Sequence, residues 1–443
     1  MKVHFWGTRG SIAAPGPSTV RYGGNTSCVQ VTSGDVLIVL DCGTGLRELG
    51  LHLMATHEGP IDGHLLVTHT HWDHIQGFPF FVPVLAPGNR FTIYSARGIE
   101  KRLEDIFAGQ MDYTYFPLRL AQLQSEVNFV ELAEETFSIG HVEVTGQFLN
   151  HTTLTMGYRL SSGGRSVVYA TDHEPFGRMR QPDGEGGSSF IHEGDRRLVS
   201  FAAGADVLII DAQYTEEEYP KKVGWGHGTI EYAVEIGLAA GVKQLLLFHH
   251  DTIRSDQQLA GLEGRARTRV SKRGSTMEVM AAAEGLEIVL EEQGETVVHG
   301  AAAGAQRPVV RQRLLLADDD AFMMRALRTA FADEERYETF SATNGAEAVD
   351  MALELKPDLI LLDAIMPELD GFGVTRELRA EPRTREVPIV MLTSLEDPSF
   401  EAQGFELGVN DFMRKPFALP QLRARVEMWL RRGAQPSTFD WRP

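Results

Sequence analysis

Residues 68–74 read THTHWDH, which places three histidines and an aspartate within six positions directly after the apolar run Leu65-Leu66-Val67. Such a run predicts a strand, so the cluster sits on the loop where that strand ends. Imidazoles at 69 and 71 project the same way from extended backbone, while Asp73 and His74 turn toward a second point. These are the side chains that ligate divalent transition metals. The placement recurs along the chain. VLIVL ends in Asp41, LLVT in His69, GQFL in Asn150-His151, SVVYAT in Asp172, VLII in Asp211 and QLLLF in His249. A single histidine at a strand end is usually structural. Six apolar strands that each bring a metal-binding residue type to one sheet edge imply a shared site.

The elements that carry these residues belong to a chain too long for one ordinary domain, at 443 residues, so two or three are expected. With 43% hydrophobic and 23% charged residues it has core to spare. The net charge of −19 argues against nucleic acid as a partner, which needs basic surface to neutralise phosphates. Cys28 and Cys42, the only cysteines, read as small buried hydrophobes in a reducing compartment. No basic stretch followed by an apolar one opens the chain, and no apolar span reaches membrane length, so a cytoplasmic protein without a membrane partner is expected. Residues 292–312, EQGETVVHGAAAGAQRPVVRQ, have linker composition. They divide a first domain over 1–291 from a second over 313–433, which is followed by a tail at 434–443. Residues 181–189, QPDGEGGSS, predict a loop inside the first domain. Both halves are acidic; from Arg311 on, 24 Asp and Glu face 17 Lys and Arg.

The second half carries its own constellation. RLLL runs through Ala317 into Asp318-Asp319-Asp320, DLILL ends in Asp363, VPIVML ends in Thr393-Ser394, and Lys415 lies in DFMRKPF. Strand ends of a parallel sheet converge at its carboxyl edge, which would bring these groups together. Clustered acids need a cation, and hard oxygen ligands suit magnesium. An aspartate held there can be phosphorylated, with Thr393 and Lys415 placed to meet the added charge.

HTHWDH matches the HxHxDH signature of the metallo-β-lactamase fold, and the resemblance extends over about residues 1–290. It implies an αββα sandwich with one metal on His69, His71 and His151. A second metal falls to Asp73, His74 and His249, with Asp172 bridging the two. His250 is the alternative to His249, and Asp41, in LDCGTG, would orient the ligand loop. Two zinc ions suit this set, and manganese or iron would also be accepted. Flavodiiron relatives carry Glu where His71 stands, which favours hydrolysis over redox chemistry. VHFWGTRGS, YGGNTSC, LNHTTLTMGYRL, VVYATD, GADVLIIDAQY and GHGTIEYAVEIGLAAGVKQLLLFHH resemble the ribonuclease Z and cyclic phosphodiesterase branch. By that resemblance Asp73, His227 and Asp211 take part in the reaction. His227 is the acid or phosphate binder and Asp211 holds it. Arg9, in GTRGS, either contacts a phosphate or lies on the surface. Only SSGGRSVVY joins Leu160 to Ala170, a hairpin rather than the long tRNA-binding arm of bacterial ribonuclease Z.

The second half resembles the receiver domain of two-component response regulators over about residues 312–433, which implies a doubly wound (βα)5 fold. Asp363 would be the phosphoacceptor, and Asp318, Asp319 and Asp363 the magnesium site. Thr393 and Lys415 would sense the phosphoryl group, Phe412 would be the aromatic switch, and a sensor histidine kinase the partner. Receivers usually precede their output domain; here the order is reversed. Together the two resemblances imply a dinuclear metal-dependent phosphodiesterase for a small cyclic phosphodiester such as cyclic AMP or cyclic GMP, regulated by phosphorylation. The alternatives are a ribonuclease Z-like endonuclease, a thioesterase or lactonase of the same fold, and a non-catalytic nucleotide-binding module. Receivers and ribonuclease Z relatives both dimerise, so a homodimer is implied as well.

Overall fold

Strand β1 (Lys2–Gly7) alternates buried and more exposed positions, the mark of a strand with one face on a core, whereas VLIID of 207–211 is buried at every position, as in a parallel sheet covered on both faces. The computed structural model describes residues 1–98, 101–177, 190, 192–291, 311–331, 337–394, 398–415 and 417, together with 422, 423, 425, 426 and 428–430. The expected loop at 181–189, residues 292–310 of the linker and the tail at 434–443 lie outside the described residues.

The chain forms two compact units. The first comprises Met1–Pro175 and Arg197–Ala301. Its first sheet uses β1, β2 (Cys28–Ser33), β3 (Val36–Leu40), β4 (Asp62–Leu66), β5 (Arg90–Ala96), β6 (Glu126–Leu132) and, late in the chain, β14 (Glu287–Val289), in the order β14-β1-β2-β3-β4-β5-β6. The second uses β7 (Thr136–Ile139), β8 (Val142–Leu149), β9 (Thr155–Ser162), β10 (Arg165–Ala170), β11 (Val207–Asp211), β12 (Gln244–Phe248) and β13 (Glu278–Ala281), in the order β13-β12-β11-β10-β9-β8-β7. Each sheet is part antiparallel and part parallel. Strands β3 to β6 run parallel, as do β10 to β13, so their carboxyl ends form one rim per sheet.

Polar ties lock the two sheets together. Tyr158 donates its hydroxyl to the Val67 carbonyl (2.7 Å), Tyr169 donates to Asp41 Oδ2 (2.8 Å), and the Met156 amide donates to the Thr68 carbonyl (2.8 Å). Helices α1 (Gly45–Thr56), α2 (Trp72–Ile75), α3 (Leu103–Gln110), α5 (Ile230–Ala240) and α6 (Asp256–Lys272), with α4 (Glu193–Ala202) from Arg197 on, complete the αββα layering. α5 begins where it does because Thr229 caps it, accepting the Tyr232 amide, which anchors the GHGT loop to a helix start. β9 and β10 are joined by Gly163-Gly164 alone, with φ of 57° and 71°, the two-residue hairpin turn that glycine permits.

The second unit is a five-stranded parallel sheet of order β16-β15-β17-β18-β19, built from β15 (Gln312–Ala317), β16 (Tyr337–Ala342), β17 (Leu359–Asp363), β18 (Ile389–Thr393) and β19 (Asp411–Arg414). Helices α7 (Ala321–Phe331), α8 (Gly345–Leu355), α9 (Gly371–Ala380) and α10 (Pro398–Glu406) alternate with the strands, and Asn344 and Asp370 cap α8 and α9. This is the doubly wound arrangement expected. The unit also takes in Phe176–Arg196, which the sequence placed in the first domain. There His192 accepts the Gly194 amide at Nδ1, so its Nε2–H donates to Asp411 (3.2 Å). The fully buried Asp411 carboxylate also accepts from Arg425 (2.9 Å) and Trp429 Nε1 (2.8 Å), and Phe176 stacks on His192 beneath Arg425. No helix among the described residues is long and apolar enough to cross a membrane.

Burial raises the Asp411 pKa, but Arg425 and His192 outweigh it and hold the carboxyl well below its ordinary value. A depressed carboxyl contributes stability above its unfolded pKa of about 3.9 and loses it as pH falls toward the folded value. Asp411→Ala leaves the partly buried Arg425 and the buried Trp429 Nε1 without their partner, so urea titrations at neutral pH should show a loss of roughly 3 kcal/mol in the second unit. The difference from wild type should shrink as the titrations are repeated below about pH 3.9.

Candidate metal centres

The site is assembled from strand ends. Asp41 follows β3, His69 and His71 follow β4, His151 follows β8, Asp172 follows β10, Asp211 closes β11 and His249 follows β12; Asp73 and His74 lie on α2. Asp41, Asp172 and His249 hold left-handed backbone, with φ of 62°, 55° and 59°. For residues other than glycine that costs of order 1–3 kcal/mol and is tolerated where the surroundings dictate it.

Two groups of ligand-type atoms result. In the first, His71 Nδ1 lies 2.9 Å from His69 Nε2 and 3.2 Å from His151 Nε2. Three ring nitrogens so close cannot all satisfy one another, but nitrogens on a tetrahedral zinc, at about 2.05 Å from it, sit roughly 3.3 Å apart. His151 donates Nδ1–H to the Gly226 carbonyl (2.7 Å), which leaves its Nε2 lone pair facing the group. In the second, His74 Nε2 lies 3.2 Å from both Asp73 Oδ2 and Asp172 Oδ2, and His249 Nε2 lies 3.2 and 3.3 Å from the same oxygens. His74 donates Nδ1–H to Asp41 Oδ2 (2.8 Å), and its buried Nε2 makes no hydrogen bond. A ring nitrogen without a hydrogen bond between two carboxylates fits a ligand to a divalent cation. Asp172 lies between the groups: Oδ2 belongs to the second, while Oδ1 lies 3.9 and 3.7 Å from His69 and His151.

The structure separates the two rivals at 249 and 250. His249 faces the second group, whereas His250 donates Nε2–H to the Ala282 carbonyl (2.8 Å) and points away. Burial pushes the His250 pKa down to about 3. Asp41 is fully buried and accepts from the Thr68 amide (2.7 Å) and hydroxyl, from His74 and from Tyr169. Asp211 accepts Nδ1–H of His227 (2.8 Å) and the Gly228 amide (3.0 Å). Arg9 is neither a surface residue nor turned to the cluster. It is fully buried, and its guanidinium donates to the carbonyls of Gly23 (2.8 Å), Asp251 (3.1 Å) and Arg254 (2.9 Å). Sequence reasoning missed Ser11, whose amide donates to Asp73 Oδ2 (2.7 Å), and Glu174, whose carboxylate grips the loop before His227. Ser11 closes VHFWGTRGS but acts there through its backbone amide, and Glu174 lies outside the quoted motifs; the partners of both lie far away along the chain.

In the second unit, one oxygen each of Asp318, Asp319 and Asp363 lies within 4.8 Å of the others, a trio that could hold a divalent cation. Lys415 Nζ bridges Asp318 Oδ2 (2.8 Å) and Asp363 Oδ1 (2.9 Å). Burial raises the Asp363 pKa against the pull of Lys415. Thr393 is buried at the end of β18, and its carbonyl accepts the Lys415 amide (2.8 Å). Phe412 is turned inward, edge-on to Phe405 and Phe400.

A family model described as a beta-lactamase superfamily domain matches residues 37–250, and one described as a response regulator receiver domain matches residues 314–427. The transcriptional regulatory protein ResD of Bacillus subtilis is 41% identical over 128 residues, 29% of this chain and 52% of that protein. The chain spans about half the length of the curated relatives it matches. Among solved structures, the metallo-beta-lactamase fold protein YhfI of Bacillus subtilis is 19% identical, covering 65% of this chain and 98% of that one, with a TM-score of 0.45. Human tRNase Z, short form, is 20% identical, covering 66% and 100%, with a TM-score of 0.44.

The two groups differ in protonation. Burial, with His74 and His71 adding to it, holds the His69 pKa well below the ordinary imidazole value, and burial takes His151 down to about 3. Burial also opposes charge on His74 and His249, but the neighbouring carboxylates outweigh it. Asp172, Asp73 and Asp41 raise the His74 pKa, while Asp172, Asp73 and Asp211 raise that of His249 to about 9. The carboxylates thus favour protons on the second pair while burial disfavours them on the first histidines, so a metal entering the second group competes with protons more than one entering the first. Zinc titrated into chelator-stripped protein at pH 7, followed by calorimetry in buffers of different ionisation enthalpy, should release more protons at the second group than at the first. His71→Ala should abolish the event that releases fewer protons and leave the other.

Proposed function

We propose that this chain, a beta-lactamase superfamily domain joined to a response regulator receiver domain, is a dinuclear metal-dependent phosphodiesterase that cleaves small cyclic phosphodiesters, cyclic nucleotides among them, under control of phosphorylation at Asp363. The observation that carries the reading is the shared carboxylate. Asp172 faces both groups, and the hydrogen-bonded Asp211–His227 pair stands beside it, with His227 Nδ1 3.9 Å from Asp172 Oδ1. Two divalent cations there, best matched by zinc, would supply a hydroxide nucleophile at neutral pH and neutralise phosphoryl oxygens. With Nδ1 committed to Asp211, His227 has Nε2 left to deliver a proton to the departing alkoxide, which cannot leave unprotonated at neutral pH. Asp211 holds the ring in that orientation.

Three features support a small substrate. The β9–β10 connection is two residues, too short to grip RNA, and the acidic chain repels a polyanion. Trp72, between His71 and Asp73, is 79% exposed and offers a ring face to a base, and Trp225, two residues before His227, is 55% exposed with the Lys222 ammonium 3.9 Å over its ring. Regulation is supported by the Asp318–Asp319–Asp363 trio with Lys415 and by chain continuity, since only three residues separate Asp172 of the first unit from Phe176 of the second. A sensor histidine kinase is the partner this trio calls for.

Zinc-loaded protein should hydrolyse 3′,5′-cyclic AMP or cyclic GMP, and His69→Ala should abolish it. His227→Ala should lower kcat by about 10²–10⁴-fold, the range for one general acid. Beryllofluoride should change the wild-type rate and leave Asp363→Asn unaffected. Protein that holds two metals per chain yet cleaves no phosphodiester overturns the reading; cleavage of a pre-tRNA alone would turn it into an endonuclease.

A further inference from the structure

Glu174 is buried two residues beyond Asp172, and it is not among the atoms that could hold a metal. Its carboxylate is committed elsewhere. Oε1 accepts the Tyr219 hydroxyl (2.8 Å) and the Gly224 amide (2.7 Å), and Oε2 accepts the Gly226 amide (2.8 Å). Gly224 and Gly226 both hold left-handed backbone, with φ of 85° and 86°, and a Cβ at 226 would lie 2.1 Å from His151 Nδ1. The loop is thus curled so that two of its amides reach one carboxylate, while the Gly226 carbonyl turns the other way to accept His151 Nδ1–H. The next residue is His227. Glu174 is also tied to the strand end that carries His151: its amide donates to the Asn150 carbonyl (2.8 Å), and its own carbonyl accepts Asn150 Nδ2 (2.8 Å).

We infer that Glu174 is a positioning residue for proton delivery: by gripping the Tyr219–Gly226 loop it sets where His227 stands relative to the leaving oxygen. The inference rests on the acid role given to His227 above. A neutral glutamine in its place cannot serve all three donors, because whichever way the amide turns, its NH2 faces the backbone N–H of Gly224 or Gly226, from which it cannot accept. A group that acts only through a proton donor matters in proportion to the need for the proton. A cyclic nucleotide releases a poorly stabilised alkoxide and needs it; bis(p-nitrophenyl) phosphate releases a stable phenolate and does not.

The test is a double-mutant cycle of Glu174→Gln and His227→Ala on both substrates, using full-length zinc-loaded protein with metal content and Tm measured for each variant. Glu174→Gln should keep two metals per chain and lower kcat for the cyclic nucleotide by about 10–100-fold with little change in KM, while bis(p-nitrophenyl) phosphate falls less than threefold. The double variant should be no slower than His227→Ala alone. Tyr219→Phe, which removes one donor and keeps the fold, should shift the same ratio in the same direction by a few-fold. Equal losses on both substrates, or single losses that multiply in the double variant, overturn the inference while leaving His227 as acid. A His227→Ala variant that cleaves the cyclic nucleotide at the wild-type rate instead removes the acid, and the positioning role with it.

Discussion

Asp73, Asp172 and Asp211 place three carboxylates, none more than 5% exposed, around a space they share with His74, His227 and His249. Like charges in a dry interior repel strongly, and a cluster of this kind persists only with counter-charge among its members. In the protein without metal, part of that charge sits on His74 and His249, whose pKa values the carboxylates raise; with metal bound, the cations take it over. The rest of the first unit follows from holding this cluster in place. Asp41 lies one layer further out, reading the ends of β4 and β10 and the His74 ring through one carboxylate, so that a single buried group aligns both sheets with the ligands.

The backbone bears the geometric strain of that arrangement. Asp41, Asp172 and His249 are left-handed at three strand ends, and each such turn re-aims a side chain that would otherwise continue along the pleat. The sheets tolerate this because Tyr158, Tyr169 and Met156 tie one to the other just behind the rim. The loop carrying His227, by contrast, is held through side-chain and backbone hydrogen bonds to Glu174 and Asp211, so its position depends on buried polar groups rather than on apolar packing.

The second unit repeats the electrostatic problem on a smaller scale. Asp318, Asp319 and Asp363 converge at the carboxyl edge of a parallel sheet, with Lys415 as the counter-charge. The buried Asp411 at the start of β19 solves it differently, with Arg425, Trp429 and His192 filling its hydrogen-bonding capacity. His192 reaches it from Phe176–Arg196, a stretch far from β19 in the chain.

Residue types and their period were enough to place the apolar strands that end in His or Asp, because such runs are local features, whereas the sandwich itself came from the family resemblance. The choice between His249 and His250 was not local. β12 pairs through Phe248 with Asp211, and the left-handed turn at His249 sends that ring to the carboxylates while the Ala282 carbonyl takes His250. Arg9 misled for the same reason: a glycine-flanked arginine looks exposed until three carbonyls from residues 23, 251 and 254 close around it. Glu174 and His192 carried no signal at all, since a buried polar group is recognised by its partners, and theirs lie about 45 to 220 residues away. Local chemistry along the chain is written in order; which polar groups meet in the interior is settled only when distant strands take their register, because each buried donor and acceptor must then find its match.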